Sequence, residues 1–321
     1  MRKQLFTILG ILFLITSTSV FAKTTLRVGY LPILDHITLV VSYEKDNKTF
    51  KEVDVELKIF KRWDELAGAL DAGAIDAAFI LSPLAMDMFN SGMDIRTVLL
   101  AHRNGSAITV GKDSEITSAR MLKGKIVAVP NKKATHVALL DTYLRSDGLS
   151  LKDVETTVIA PPNMEEALKS NKIDAFIVAE PFGAKAKVHG YGRVLVLTKD
   201  IINNHVECIV VVKNKFLKEN KPAMQEWVDS LIRAGKFIEK DRHENNSGKV
   251  IAITNKYMGH DDETTREALQ NPHDRITFND LNPKLSDYKK IMDIAVQAGI
   301  IGKVELESFV DGRFFKNSKE K

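Results

Sequence analysis

The chain has 321 residues, enough for two domains that each bury a core. Its apolar fraction of 44% and charged fraction of 27% are ordinary for a globular protein. A formal charge of +4, from 46 basic against 42 acidic residues, is too even for nucleic-acid binding, and no basic run interleaves with aromatics.

Residues 1–22 read as a secretory signal. Arg2 and Lys3 make the charged start, Leu5 to Ile15 the apolar stretch, and Val20-Phe21-Ala22 the small-residue cleavage site. The stretch is shorter than the roughly 20 residues that span a bilayer. Lys23, not a cysteine, follows the cut, so no lipid anchor is expected. Losing Arg2 and Lys3 takes 46 basic residues to 44 against 42 acidic, a net +2. The mature chain is expected to be soluble, exported and periplasmic.

A first lobe is expected over 23–111. It reads as a strand at Leu26 to Tyr30, a helix from Ile37 to Glu44, and an alternating, half-exposed strand at Val53 to Phe60. A helix at Trp63 to Ala72 and a strand at Asp76 to Leu81 follow, then a helix with Ser82 as cap and Pro83 in its first turn. Strands at Ile95 to Ala101 and Ala107 to Val110 flank the loop His102-Arg103-Asn104-Gly105-Ser106. The polar stretch Gly111 to Glu115 reads as the crossover to a second lobe over 112–207. Its strands are Ile126 to Val129, Thr157 to Ile159, Ala175 to Ala179 and Val194 to Leu197, with helices beginning near Thr135, near Asn163 and after Pro181. Cys208 to Val212 reads as a strand returning to the first lobe, to which 208–321 is assigned. Pro222 opens a long helix whose inner face is Met224, Trp227, Val228, Leu231 and Ile232. Ser286 caps a second helix, with Tyr288, Ile291, Met292 and Ala295 inward and Gly299 at its end.

A repeat runs through this order. Gly73-Ala-Ile-Asp-Ala-Ala-Phe-Ile-Leu-Ser-Pro83 is answered by Asn171-Lys-Ile-Asp-Ala-Phe-Ile-Val-Ala-Glu-Pro181, which pairs Asp76 with Asp174 and Pro83 with Pro181. Upstream, Arg27-Val-Gly-Tyr-Leu-Pro32 with Asp35-His36 is answered by Lys125-Ile-Val-Ala-Val-Pro130 with Thr135-His136. The reading is α/β, with two similar lobes of mostly parallel sheets joined by a two-strand hinge. Ligands of such sheets bind beyond the carboxyl ends of the strands, where the proline loops lie.

Walker and dinucleotide glycine loops, His-Glu-x-x-His, paired cysteines and a Gly-x-Ser-x-Gly elbow are all missing, so no catalytic residue is assigned and no enzyme is expected. The loop residues form the candidate site: Asp35, His36, Ser82, His102, Gly105, Ser106, Thr135, His136, Glu180 and His205. Helix N-termini at Ser82, Thr135 and Ile37 suit an anion. His36, His102, His136, His205 and Glu180 suit a transition metal if they converge; otherwise no cofactor is expected. Each has a structural alternative. Asp35, Ser82 and Thr135 serve as helix caps, His36 and His136 bond nearby backbone, and Glu180 pairs with a lysine such as Lys185. Phe182 reads as core. His189, His243, His260 and His273 fall on surface segments and carry no role. Cys208, the single cysteine, reads as a buried, inert thiol with no activating neighbour.

Gly29-Tyr-Leu-Pro-Ile-Leu-Asp-His36, and Gly73-Ala-Ile-Asp-Ala-Ala with Ser82-Pro83, resemble the solute-binding proteins of the nitrate/sulfonate/bicarbonate/taurine family of ABC importers. Asn104-Gly-Ser-Ala-Ile-Thr109, Glu180-Pro-Phe182 with Ala184-Lys185, Asn204-His205 and Phe309-Val-Asp-Gly-Arg-Phe314 extend the resemblance over nearly all of the mature chain. It implies a type II periplasmic binding fold that closes by a hinge on a small solute, an oxyanion, sulfonate or similar, and delivers it, as a monomer, to a membrane permease and ATPase. It carries a ligand-binding role onto Pro32, Asp35, His36, Ser82, Gly105, Thr135, Glu180 and His205. Phe182 stands in place of the family's tryptophan, Val206 in place of a proline, and His102-Arg103 where uncharged residues are common. Two alternatives stand beside it: an exported metal-binding protein using the cleft histidines, and an enzyme on the same fold. The signal and the lone cysteine argue against the second.

Overall fold

The structure, a computed structural model, describes residues 22–320. Apart from Ala22, the signal reading lies outside the described residues. In chain order the elements are β1 (Thr24–Tyr30), α1 (Ile37–Asp46), β2 (Val53–Ile59), α2 (Trp63–Asp71), β3 (Ala77–Leu81), α3 (Ser82–Asn90), β4 (Ile95–Leu100), β5 (Arg103–Asn104) and β6 (Ser106–Gly111). Next come β7 (Ile126–Val129), α4 (Thr135–Ser146), β8 (Glu155–Val158), α5 (Met164–Lys169), β9 (Ala175–Ala179), α6 (Phe182–Val188), β10 (Gly192–Leu197) and α7 (Thr198–Ile201). The chain ends with β11 (Cys208–Lys213), α8 (Asn214–Glu219), α9 (Lys221–Glu244), α10 (Gly248–Met258), α11 (Asp262–Gln270), β12 (Ile276–Thr277), α12 (Leu285–Gln297), α13 (Leu306–Phe309) and α14 (Arg313–Asn317).

Two five-stranded sheets share one topology. The first runs β2-β1-β3-β11-β4, and the second, read from its far edge, β8-β7-β9-β6-β10. In each, a single strand opposes both of its neighbours: β11 lies antiparallel to β3 and β4, and β6 antiparallel to β9 and β10. Those two strands are the ones that arrive from the other lobe. β6 therefore belongs to the second sheet, and the chain crosses before Ser106, not at Gly111 to Glu115. Central strands buried on both faces read as unbroken apolar runs; β3 is buried throughout, as is β11 up to Lys213. The edge strand β2 alternates instead, with Val53 and Val55 buried and Asp54 and Glu56 exposed.

The repeated Ile-Asp-Ala phrase has a structural cause. Asp76 accepts the Arg27 backbone N–H at 3.0 Å and returns its own N–H to the Arg27 carbonyl at 2.8 Å. Asp174 does the same with Ile126, at 2.8 and 2.9 Å. Each aspartate thus fastens the start of one parallel strand to the start of its neighbour, where a parallel pair leaves orphan donors and acceptors.

The C-terminal helices cover the first sheet. α9, about 36 Å long at 1.5 Å per residue, turns Met224, Trp227, Val228, Leu231 and Ile232 inward, and Trp227 meets Phe79 of β3 edge-on at 6.5 Å. α12 touches both α3 and α4, and α11 touches α6, so this segment reaches the second lobe as well. Neither expected serine cap forms: Lys284 holds the cap position of α12, and Ser82 lies inside α3 with Leu81 at its cap. Among the described residues no helix is long and apolar enough to cross a membrane.

Candidate functional site at the interlobe seam

The two crossings lie side by side. Asn104 donates its N–H to the His205 carbonyl at 3.0 Å, Arg103 bridges Val206, and β5 pairs with β12 on its other side. Arg103, almost fully buried, binds the Asp280 carboxylate at 3.1 Å, the Asp287 carboxylate at 2.6 Å and the Asn204 carbonyl at 3.2 Å, which fixes both crossings to the C-terminal segment. Its role here is structural.

On the first-lobe side, the turn after β1 delivers Asp35 and His36, β4 leads into His102, and β11 opens with Cys208; all four are fully buried. Asp35 Oδ2 lies 3.2 Å from His102 Nε2 and 3.7 Å from Cys208 Sγ. His102 Nε2 also accepts the Cys208 backbone N–H at 3.2 Å. Asp35 Oδ1 and His102 Nδ1 have no hydrogen-bond partner. Both are 3.0 Å from the point where a Cβ on Gly105 would stand, and Gly105 has φ +105°. Glycine is required there on both counts. His36 turns away: its Nδ1 accepts the Leu31 N–H at 3.0 Å, and its ring packs edge-on against Trp63 and Phe79. Its place is in the core, as the structural alternative held.

Across the seam, Glu207 collects the second-lobe candidates. Ser106 Oγ donates to it at 2.5 Å, His136 Nε2 lies 2.9 Å from it, and His205 Nε2 lies 3.3 Å from it. The Glu207 backbone carbonyl accepts both the Thr135 hydroxyl, at 3.2 Å, and the Ser82 N–H, at 2.9 Å. The Ser82 hydroxyl is buried beside them without a partner. Glu180 is engaged otherwise: Arg275 Nε donates to its Oε1 at 2.7 Å and the Ala184 N–H to its Oε2 at 2.9 Å. Neither Lys185 nor the histidines meet it; Lys185 pairs with Glu165. Pro32 contributes its carbonyl to His260 Nε2 at 2.8 Å, and His260 meets Phe182 edge-on, so His260 is not the bystander expected. The proposed metal set of His36, His102, His136, His205 and Glu180 does not converge. Between the lobes lies a groove of about 530 Å³ lined by Arg62, Asp64 and Leu84 of one lobe and Pro130 and Val158 of the other, with the ion pair Lys133–Asp87 across it.

Burial sets most of the electrostatics, with His136 acting against it. It pushes the Asp35 carboxyl well above the carboxylate range, and the charge of Glu207 adds to this. Burial holds His102 down to about 4 and His36 well below its ordinary range. Burial also opposes ionisation of Glu207, but the charge and hydrogen bond of His136, with His205 and His102, hold its carboxyl well below the usual range. The Cys208 thiol is raised by burial and then by Asp35.

Sequence reasoning missed Glu207, Arg275 and the placement of Cys208. A glutamate heading the apolar run from Cys208 to Val212 was a usable signal for the first. Arg275 lies in a stretch without motif.

Two like-built lobes, two crossings and a polar seam between them define a two-lobed α/β fold. The model of the NMT1-like family matches residues 21–253, and the chain belongs to that family. It is 29% identical over 254 residues to the nitrate import ATP-binding protein NrtC of Synechococcus elongatus, covering 74% of this chain and 38% of that protein. It is 24% identical over 251 residues to the nitrate/nitrite-binding protein NrtA of Nostoc, covering 71% and 57%. The chain thus spans only part of these curated relatives. Among solved structures, the ligand-binding component of an ABC-type import system from Staphylococcus aureus, with zinc bound, superposes with a TM-score of 0.85 at 23% identity, covering 93% of this chain and 100% of that one. The periplasmic nitrate-binding protein NrtA of Synechocystis gives 0.79 at 20%, covering 93% and 86%. The sequence resemblance and the α/β two-lobed fold expected from it are therefore correct. The desulfurization enzyme DSZB shares the fold at a TM-score of 0.65 and 15% identity, covering 92% of this chain and 98% of that one, so the fold alone leaves catalysis open.

Proposed function

We propose that this chain is the exported solute-binding component of an ABC-type importer, which encloses a small solute at the interlobe seam and hands it to a membrane permease. The observation that carries this reading is the seam itself: buried polar side chains from both lobes meet where the chain crosses twice, and several of their polar atoms lack partners. Buried polar atoms left unmet cost about 1–3 kcal/mol each, so such a cluster is tolerated where a ligand completes it. The nitrate/nitrite-binding protein NrtA among the relatives and the import-system ligand-binding component among the neighbours support the same reading. The reading of residues 1–22 as a secretory signal agrees with export.

The class of solute follows from the charges. Asp35 and Glu207 both lie in the seam, while Arg103 and Arg275 are committed to carboxylates. A nitrate or sulfonate would have to sit beside two buried acids with no unpaired arginine among these residues. A cation suits the seam better than the oxyanion the motifs suggest. The zinc bound in the Staphylococcus aureus neighbour favours the metal-binding alternative over the anion. Thermal unfolding of the processed protein against nitrate, bicarbonate, taurine, alkanesulfonates, aminopyrimidines and divalent metals tests the proposal. A true solute at about 100 times its Kd adds roughly 2.7 kcal/mol, a shift of several degrees. If no compound on this panel shifts the midpoint, the receptor reading fails.

A further inference from the structure

We propose that Asp35, His102 and Cys208 form a binding site for a zinc-class divalent transition-metal ion, and that this ion is the solute the protein captures. Only the second clause rests on the receptor reading; the site stands on geometry.

The three side chains present one carboxylate oxygen, one imidazole nitrogen and one sulfur, all within 4.8 Å of one another. Bonds of about 2.0 Å to nitrogen and oxygen and 2.3 Å to sulfur, arranged tetrahedrally, place the nitrogen and oxygen about 3.3 Å apart and the oxygen and sulfur about 3.5 Å apart. The observed separations are 3.2 and 3.7 Å. The three ligand atoms are therefore already spaced as two edges of a zinc tetrahedron, before any ion draws them in.

A second observation points to a ligand. Asp35 and His102 are wholly buried, and each keeps a polar atom without a partner, Oδ1 and Nδ1, both close to Gly105, so the pair that offers Oδ2 and Nε2 to an ion is not fully satisfied by the protein alone. The Cys208 amide that reaches His102 Nε2 does so at 3.2 Å, the long end of the hydrogen-bond range. A metal that takes that nitrogen's lone pair displaces this amide, and the metal–nitrogen bond has to outweigh its loss.

Charge and donor type select the ion. A thiolate, a carboxylate and a neutral imidazole around a divalent cation sum to zero, the charge state a dry interior tolerates best. Sulfur and imidazole suit zinc, cobalt or nickel. Calcium and magnesium require oxygen ligands throughout. Three protein ligands leave a fourth position open. His102 lies on one crossing and Cys208 at the end of the other, so an ion held here ties the two hinge strands together.

The test uses the processed protein, stripped with EDTA and dialysed. Zn²⁺ is titrated by calorimetry and Co²⁺ by absorption. One ion per chain is expected, with a thiolate-to-cobalt charge-transfer band in the near ultraviolet and no competition from Mg²⁺ or Ca²⁺. Cys208→Ser should abolish the band and weaken Zn²⁺ by roughly 100-fold or more, since even outer-shell changes cost 10–100-fold. Asp35→Asn should weaken Zn²⁺ similarly while its cobalt complex keeps the band. Circular dichroism checks that both variants fold, and His189→Gln, on an exposed residue, should bind as the wild type does. Equal Zn²⁺ affinity in wild type and Cys208→Ser, or no cobalt–thiolate band, overturns the site. If metals fail to bind while an organic solute or oxyanion raises the unfolding midpoint, the metal proposal falls and the receptor reading survives. If nothing binds, both fall.

Discussion

Arg275 and Glu180 offer the sharpest test of how the hinge is held. Both side chains are at most 2% exposed, and Arg275 Nε sits 2.7 Å from Glu180 Oε1. The backbone around them is braced as well: Gly105 donates its N–H to the Arg275 carbonyl at 3.0 Å, and Glu180 donates its own to the Gly105 carbonyl at 2.8 Å. Truncation to Arg275→Met leaves a carboxylate buried without its counter-charge. Breaking such a pair from one side costs about 3–5 kcal/mol, far more than an exposed ion pair. For a chain of this size the loss corresponds to a fall in Tm of roughly 6–20 °C. Glu180→Gln alone should also destabilise, since the guanidinium is then unmet. The double variant should recover about 2 kcal/mol or more of the summed losses, because the second substitution removes the charge the first had stranded. Urea unfolding of the four proteins, without ligand, measures this coupling. Additive losses would refute the account, and so would a Glu180→Gln protein of wild-type stability. Such results would return Glu180 to the list of ligand-binding residues.

Gly105→Ala should destabilise by about 1–3 kcal/mol, because a Cβ there meets Asp35 and His102 at 3.0 Å on a backbone of positive φ; a neutral outcome in urea unfolding would show that the loop relaxes freely. Asp76→Asn should cost more than Asp174→Asn, about 1–2 against about 1 kcal/mol, since Asp76 also holds the Arg27 guanidinium at 2.7 and 2.8 Å and that arginine is 37% exposed. His102 gives a pH dependence. Its folded-state value is lowered from 6.5 to about 4 by burial, so the unfolded chain gains a proton first as pH falls. The metal-free protein therefore loses stability below pH 6.5, about 2 kcal/mol from this group between pH 6.5 and 5. His102→Gln should flatten that part of the profile; an unchanged slope would refute the assignment.

The lobes were readable because their cause is local. A parallel strand pair needs its first amide and carbonyl satisfied, and an aspartate at one fixed place does this in both lobes, so the phrase repeats. The crossings were misread for an equally physical reason. The polar run Gly111 to Glu115 marks a surface turn, whereas the true crossing around Arg103 and Asn104 is buried and its charge is hidden by Asp280 and Asp287. Asp35, His102, Ser106, His136 and His205 lie on or beside strand-end loops, and topology alone brings such loops to one seam. Their partners, Glu207 and Cys208, depend on how an antiparallel strand enters the first sheet. Arg275 depends on a segment far along the chain, and periodicity carries neither.

The site arises where the duplicated architecture stops being symmetric. Asp35-His36 and Thr135-His136 hold matching positions after matching strands, yet the roles are exchanged. In the first lobe the aspartate faces the seam and the histidine retreats among Trp63 and Phe79. In the second the histidine faces the seam, onto Glu207, and the threonine binds backbone. The two inserted strands diverge too: β11 enters with Glu207-Cys208, while β6 enters with Ser106. Duplication supplies two strand-end loops that face each other, and divergence makes one a set of metal-type donors and the other a hydrogen-bonded carboxylate beside it. Both sets keep unmet atoms, Asp35 Oδ1 and His102 Nδ1 in the first and His136 Nδ1 and Ser82 Oγ in the second, but the Glu207 carboxylate itself is met by His136, His205 and Ser106. The proposed ion site is thus on the Asp35–His102–Cys208 side of the seam, and Glu207 with His136, His205 and Ser106 forms the facing side.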